Sequence, residues 1–217
     1  MIARLVGSEM CIRDRIRAAT RGNGRRGEDV TANARRMMNV PEKLGWDGDC
    51  HVRGEVVMPL QVFREKYSEV APNPRNLAAG ALRQKYADAG KGSPRDLQFL
   101  AYGVEFPSDK DRHPDSPEPP EFKLDSEIIS WIGEMGIQVA GNHVVSGDDD
   151  TATTESILAV TRDWLESRDS ADWEIDGVVI KLDRLDKRGL LGETAHHPRW
   201  ALAWKFPAEE AVTVLMD

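Results

Sequence analysis

The chain has 217 residues, 40% of them hydrophobic, with 29 lysines and arginines against 37 aspartates and glutamates and a net charge of −8. That apolar content supports one large packed domain or two small ones and excludes wholesale disorder. The acidic balance excludes bulk attraction for a polyanion, so any phosphate contact has to use local clusters such as Arg21, Arg25 and Arg26.

Residues 1–15 are set aside as a non-native stretch or a disordered tail. Leu5-Val6-Gly7-Ser8-Glu9-Met10-Cys11-Ile12-Arg13-Asp14-Arg15 has neither strand nor helix period and resembles the conceptual translation of a sequencing adapter. Ile16 to Thr20 reads as a strand entering a glycine turn. Residues 28–38 read as a helix, with Val30, Ala34, Met37 and Met38 near the helical period and Pro41 beyond its end. Residues 51–58 alternate as a strand, and Pro59 opens a helix to about residue 70. A second helical stretch covers 74–89, and residues 97–105 form another strand. The run 106–122 carries five prolines among charges and reads as an exposed loop separating two subdomains. Helices are expected over 125–135 and 151–167, and strands over 174–182 and 199–206. This interspersed order predicts an α+β fold, mostly antiparallel sheets with helices packed outside.

Cys11 and Cys50 are too few for a disulfide scaffold or a four-cysteine zinc site. No apolar run reaches the roughly 18 residues of a membrane span, and no apolar signal core opens the chain. A cytoplasmic location without a membrane partner follows as the expectation. His196 and His197 precede a proline without further clustered ligands and read as loop residues.

Gly22-Asn23-Gly24-Arg25-Arg26-Gly27 is a literal GxGxxG between a strand and a helix. It offers the alternative of an NAD(P)-binding oxidoreductase with an open parallel sheet. Against it, the next strand carries Arg53 and Glu55 where a buried parallel strand is apolar, and a plain glycine turn explains the motif equally. Period two puts Arg53 and Glu55 on one face of that strand and Gly54 on the other. A carboxylate there suits ribose hydroxyls; a solvated antiparallel face suits it too. Between Asp176 and Lys181 runs an apolar strand. Ala201, Ala203 and Lys205 share one face of the last strand, and Leu202, Trp204 and Phe206 form its packing face. Two lysines reached from two strands suit a phosphate, each as a compact point charge. Arg75 and Arg83, two turns apart on a helix, either fork onto phosphates or sit on its solvated face.

The order of these segments is specific. It runs Thr20-Arg21-Gly22-Asn23-Gly24, Gly27-Glu28-Asp29-Val30-Thr31, Val52-Arg53-Gly54-Glu55-Val56, and Asn73-Pro74-Arg75-Asn76 with Ala79-Gly80 and Leu82-Arg83-Gln84. Then come Ala101-Tyr102-Gly103, Ile175-Asp176-Gly177-Val178-Val179-Ile180-Lys181, Pro198-Arg199-Trp200-Ala201 and Lys205-Phe206-Pro207-Ala208-Glu209-Glu210. This series resembles the adenylation domain of bacterial NAD-dependent DNA ligases, over nearly everything from Ile16 onward.

The resemblance implies a nucleotidyltransferase (ATP-grasp-like) fold over 16–217, incomplete at its N-terminus. It implies NAD and Mg²⁺ as cofactors, nicked duplex DNA as partner of the full-length enzyme, and a monomer. It also implies a reaction in which a lysine takes AMP from NAD, passes it to a 5′-phosphate at a nick, and the 3′-hydroxyl displaces it. Carried over by position, Glu55 holds the ribose and Tyr102 lies against the adenine. Lys181 and Lys205 contact the α-phosphate, Arg21 sits near the phosphate or the leaving mononucleotide, and Asp176 orients the site. Arg75 and Arg83 meet DNA or the nucleotide. Two departures stand out. No Lys-x-Asp-Gly motif, which carries the family's nucleophile, occurs here: Lys181-Leu182-Asp183-Arg184 lacks the glycine and already belongs to the later motif. Asn23 stands where Asp is expected. The expectation is therefore a fragment that is inactive in self-adenylation. A third reading, a non-catalytic acidic interaction domain, predicts no nucleotide affinity.

Overall fold

A computed structural model of the chain describes residues 2–7, 16–22, 26–86, 90–194 and 197–207. Its larger sheet has the order β2-β1-β3-β4, built from β1 (Ile2–Gly7), β2 (Ile16–Thr20), β3 (His51–Val57) and β4 (Gln98–Glu105), every pairing antiparallel. Its smaller sheet is a two-stranded antiparallel ribbon of β5 (Gly177–Lys181) and β6 (Ala201–Lys205). The expected α+β class with antiparallel sheets is what is observed. The strand over Ile2–Gly7 was not foreseen, because no period marks it; an extended segment within reach of two unpaired strand edges completes both ladders whatever its pattern.

One face of the large sheet buries Ala18, Val52, Val56, Phe99 and Ala101 against helices α1 (Thr31–Ala34), α3 (Pro74–Arg83) and α4 (Asp125–Glu134). Helix α3 shows why. Asn73 accepts from the Asn76 backbone N–H at 2.8 Å and Pro74 occupies the first turn, so the start is capped. Pro74, Leu77, Ala78, Ala81 and Leu82 then recur at helical spacing and are all buried. It stops at Arg83, with Gln84 extended, short of the expected residue 89; residues 87–89 lie outside the described part. Helix α1 is also far shorter than the expected 28–38. The Thr20 N–H donates to the Glu28 carbonyl and the Val30 N–H to the Ala18 carbonyl, so residues 28–30 are held alongside β2 and cannot coil.

Helix α2 (Leu60–Lys66) starts after Pro59 as expected. The segment 106–122 has no regular structure, but it is not simply exposed: Phe106 and Phe122 pack with Trp46 and Trp131 in an aromatic cluster. Helix α5 (Asp150–Glu166) buries only Thr161. Helix α6 (Leu185–Leu191), absent from the sequence reading, follows β5. Phe206 is buried, but Leu202 and Trp204 are 59% and 43% exposed. The expected packing face of the last strand is thus only partly covered.

The pleat of β3 turns Val52, Gly54 and Val56 toward the core and Arg53 and Glu55 away from it, with a β-bulge against β4 at Arg53/Gly54. Gly54 faces the Phe99 ring, and a Cβ placed there would lie 2.5 Å from the Leu100 carbonyl oxygen. Gly54→Ala is therefore expected to cost about 1–3 kcal/mol by overpacking. Gly80, exposed inside α3 with open space where its Cβ would be, behaves oppositely. Gly80→Ala is expected to add about 0.5–1 kcal/mol. Urea midpoints of the two variants moving in opposite directions check both.

Candidate active site

The face of the large sheet turned away from the core looks onto the ribbon across a cavity of about 2120 Å³. Arg17 and Arg21 come from β2 and its end, Glu55 from β3, Tyr102 from β4, and Arg75 from the first turn of α3. Asp176, Lys181 and Lys205 come from the ribbon. The register explains the pairings. Glu55 lies opposite Leu100 on the cavity side, while Gly54 lies opposite Ala101 on the core side. In the ribbon Gly177 pairs with Lys205 and Lys181 with Ala201, so both lysines share one face at opposite ends.

The ribbon is tied to the large lobe by charge. Asp176 Oδ2 accepts from Arg75 Nη1 and from Lys205 Nζ, each at 3.0 Å. The Lys205 hydrogen bond is the largest influence on the Asp176 carboxyl; burial pushes it up, but the Arg75 hydrogen bond and the two positive charges add to Lys205 and hold it below the ordinary aspartate range. Asp176 in turn raises Arg75 further, with help from Glu55 and Glu174. Lys181 Nζ donates to the Tyr102 carbonyl at 3.1 Å and to Asp125 Oδ2 at 3.2 Å. Burial first, then the charge of Glu55, raises the Tyr102 phenol, while Arg53 and Arg21 pull it down. Arg21, Glu55 and Tyr102 are thus electrostatic neighbours.

Arg83 is not part of this wall. It pairs with Glu28 at 3.4 Å on the outer side of α3. Asp183, part of the near-match to Lys-x-Asp-Gly, has a structural use instead: its carboxylate accepts from the backbone N–H and the hydroxyl of Ser126 at 2.8 and 3.0 Å, capping α4. The GxGxxG reading also fails. Gly22 takes a φ of +53°, which suits a turn, and the following strand β3 is antiparallel to both its neighbours, whereas a dinucleotide fold needs a parallel sheet. Asn23, Gly24 and Arg25 lie outside the described residues, as does His196. His197 sits in an irregular segment on the cavity wall.

Sequence reasoning passed over Arg17, Arg168, Asp125 and Arg188. Strand parity with Arg21 points to Arg17. Nothing local marks the others. Among the described residues, ten basic ones line the cavity (Arg17, Arg21, Arg26, Arg53, Arg75, Arg168, Lys181, Arg184, Arg199 and Lys205) against five acidic ones (Glu55, Asp125, Glu174, Asp176 and Asp183). The wall therefore carries an excess of five positive charges in a chain whose net charge is −8. Part of that excess is offset by acids outside the lining, since Arg17, Arg53 and Arg184 pair with Asp29, Glu105 and Asp186.

A model of the NAD-dependent DNA ligase adenylation domain matches residues 14–209. The chain belongs to that family. Among curated relatives, the DNA ligase of Bradyrhizobium sp. strain BTAi1 is 39% identical over 212 residues, which covers 93% of this chain and 27% of the relative. The DNA ligase of Bacillus cytotoxicus is 37% identical over 207 residues, 92% and 28% of the two chains. That of Oceanobacillus iheyensis is 37% identical over 209 residues, 93% and 29%. The chain spans a little over a quarter of the length of these relatives.

The shared oxygen of Asp176 has a measurable consequence. A carboxylate with a lowered folded-state pKa contributes stability above its unfolded value, and that contribution is lost as pH falls through the folded one. Carbon-13 NMR should show Asp176 titrating below an ordinary aspartate, and Lys205→Ala should move the transition upward. An unchanged transition in the variant would mean that Lys205 does not set it.

Proposed function

We propose that this chain supplies the nucleotide-binding wall of an NAD-dependent DNA ligase and binds the AMP half of NAD in the cavity between the two sheets. The observation that carries this is the convergence of Arg21, Glu55, Arg75, Tyr102, Asp176, Lys181 and Lys205, spread along the chain, onto one cavity. On this reading residues 16–217 are the adenylation domain, with a nucleotidyltransferase, ATP-grasp-like fold. The family resemblance adds to this reading a monomer acting on nicked duplex DNA in a bacterial cytoplasm.

Each role follows from chemistry. Glu55, on the cavity face, accepts from ribose hydroxyls. The Tyr102 ring offers a flat apolar surface to adenine. In the reaction, a lysine amine attacks the α-phosphorus; a P–N bond forms as the P–O bond to nicotinamide mononucleotide breaks. Lys181 and Lys205 stabilise the negative charge that gathers on the non-bridging oxygens. Arg21 meets the phosphate or the departing mononucleotide, and Arg75 reaches the phosphate or DNA once Asp176 shares it. Arg83, paired with Glu28 away from the cavity, could meet only DNA. The cavity exceeds the usual range of about 300–1,000 Å³ for small-molecule sites, which leaves room beside a mononucleotide.

Among the described residues there is no cluster of three or more His, Cys, Asp or Glu side chains placed to hold a metal. This fits Mg²⁺ brought in on the phosphates of NAD, since that ion keeps several waters and needs only one or two protein carboxylates.

The sequence contains no Lys-x-Asp-Gly nucleophile, so binding and covalent chemistry separate cleanly. Calorimetry with AMP should show binding that Glu55→Ala and Lys205→Ala each weaken about tenfold or more, the scale of one charge-assisted hydrogen bond. Incubation with NAD and Mg²⁺ followed by intact-mass measurement should show no covalent AMP. Undiminished AMP binding in both variants would refute this placement of the nucleotide, and a stoichiometric adduct would refute the inactivity.

A further inference from the structure

The ammonium of Lys181 is held in place by a pair of residues that neither its own strand nor the neighbouring strand supplies. Asp125 opens α4, and Arg188 lies on α6. The two oxygens of Asp125 are divided between them: Oδ2 accepts from Lys181 Nζ at 3.2 Å and Oδ1 from Arg188 Nη1 at 2.9 Å. Arg188 is itself fixed on two further sides. Its Nε donates to the Leu182 carbonyl at 2.8 Å, and its guanidinium lies 4.1 Å from the centre of the Trp200 ring. The three side chains are 25%, 17% and 13% exposed for Lys181, Asp125 and Arg188, so the cluster is largely withdrawn from water, where such pairs are screened least.

We propose that Asp125 and Arg188 are positioning residues for Lys181: the Trp200-stacked Arg188 fixes the Asp125 carboxylate, and the carboxylate fixes the lysine ammonium at the cavity wall. This rests on the nucleotide reading of the same cavity and adds to it the means by which one of its two lysines is aimed.

The physical need is plain. A lysine stem has four rotatable bonds, and confining it at the moment of binding costs rotamer entropy. A lysine already confined has paid part of that cost in folding, which is what a preorganised anion site requires. Asp125 alone would do this poorly, because its own carboxylate would be free to turn. With Oδ1 occupied by Arg188, the remaining oxygen has one orientation. The local charge stays positive, two cations to one anion, so Lys181 is aimed without being neutralised toward a phosphate. Lys205 is held differently: its partner Asp176 is 54% exposed and shares its oxygen with Arg75, itself 66% exposed. That makes Lys205 an internal control.

The test uses the whole chain and two readouts. The first is the rate of acetylation of Lys181 relative to Lys205 by N-acetoxysuccinimide, followed by peptide mass spectrometry. Asp125→Asn and Arg188→Gln should each raise the Lys181/Lys205 ratio about fivefold, a conservative figure for loss of a charge-assisted contact. Asp125→Glu, which keeps the charge, should restore most of the protection. Lys205 is already 66% exposed, so global loosening would also raise the ratio; an equal rise in Asp125→Glu, or an unchanged ratio in both Asp125→Asn and Arg188→Gln, overturns the proposal. The second readout is AMP affinity. Removing a carboxylate beside a phosphate site should tighten binding if Asp125 merely competes for Lys181, and weaken it several-fold if Asp125 aims it. Tighter AMP binding in Asp125→Asn overturns the proposal. If the unaltered chain binds no AMP at all, the nucleotide reading fails while the acetylation ratio still decides whether Lys181 is held.

Discussion

A ribbon of two five-residue strands cannot hold itself in water, and the site depends on how this one is tied to the rest. None of its residues belongs to the main hydrophobic core. Its anchors are polar. Arg75 meets Asp176 at its entrance, Leu60 N–H donates to the Asp172 carbonyl just before it, and Asp183 at its exit caps α4 while the Leu185 N–H donates to Lys123. Lys181 bonds back to the Tyr102 carbonyl of the large sheet. The two lobes are thus joined by hydrogen bonds and charge rather than by buried apolar surface.

This arrangement has a consequence for binding. Several of the groups that join the lobes are the same groups that face the cavity. An anion entering between Arg75 and Lys205 has to share cations with Asp176, and one entering beside Lys181 meets an amine already aimed by two acceptors. The contacts of Asp176 are modest in stability, because all three partners are more than half exposed and screened. Modest lobe contacts let the lobes adjust around a ligand at small cost, and a core-packed interface would not.

Much of the fold was legible because its elements carry strong local signals. The alternation in β3, the Asn-Pro start and the small-residue stripe of α3, and the isoleucine stripe of α4 each specify their own element. The misses share one cause, which is contact with something distant in sequence. Residues 28–30 look helical by period but are claimed by backbone bonds to β2. Helix α6 has no apolar face of its own; it is short, and Arg188, its best-held residue, is fixed by Trp200, Leu182 and Asp125. At the site, Glu55, Lys181 and Lys205 could be read from strand parity and motif order. Asp125 could not, because only the docking of α4 against the turn after β5 brings it to Lys181. Arg83, two turns from Arg75 along α3, shows how docking separates residues that share a helix: it pairs with Glu28 and is not among the residues that line the cavity.

The charge distribution resolves the tension between an acidic chain and a polyanionic ligand. Net charge governs solubility and long-range repulsion, and at about 8 Å screening in physiological salt it reaches little further than the nearest side chains. What a phosphate experiences inside the cavity is the local excess of five positive charges, within low-dielectric walls that focus the field. The acidic excess of the chain as a whole is thus not repeated among the described residues of this wall. On the proposed reading it is therefore the cations gathered on this wall, and not the net charge of the chain, that decide where a phosphate is held.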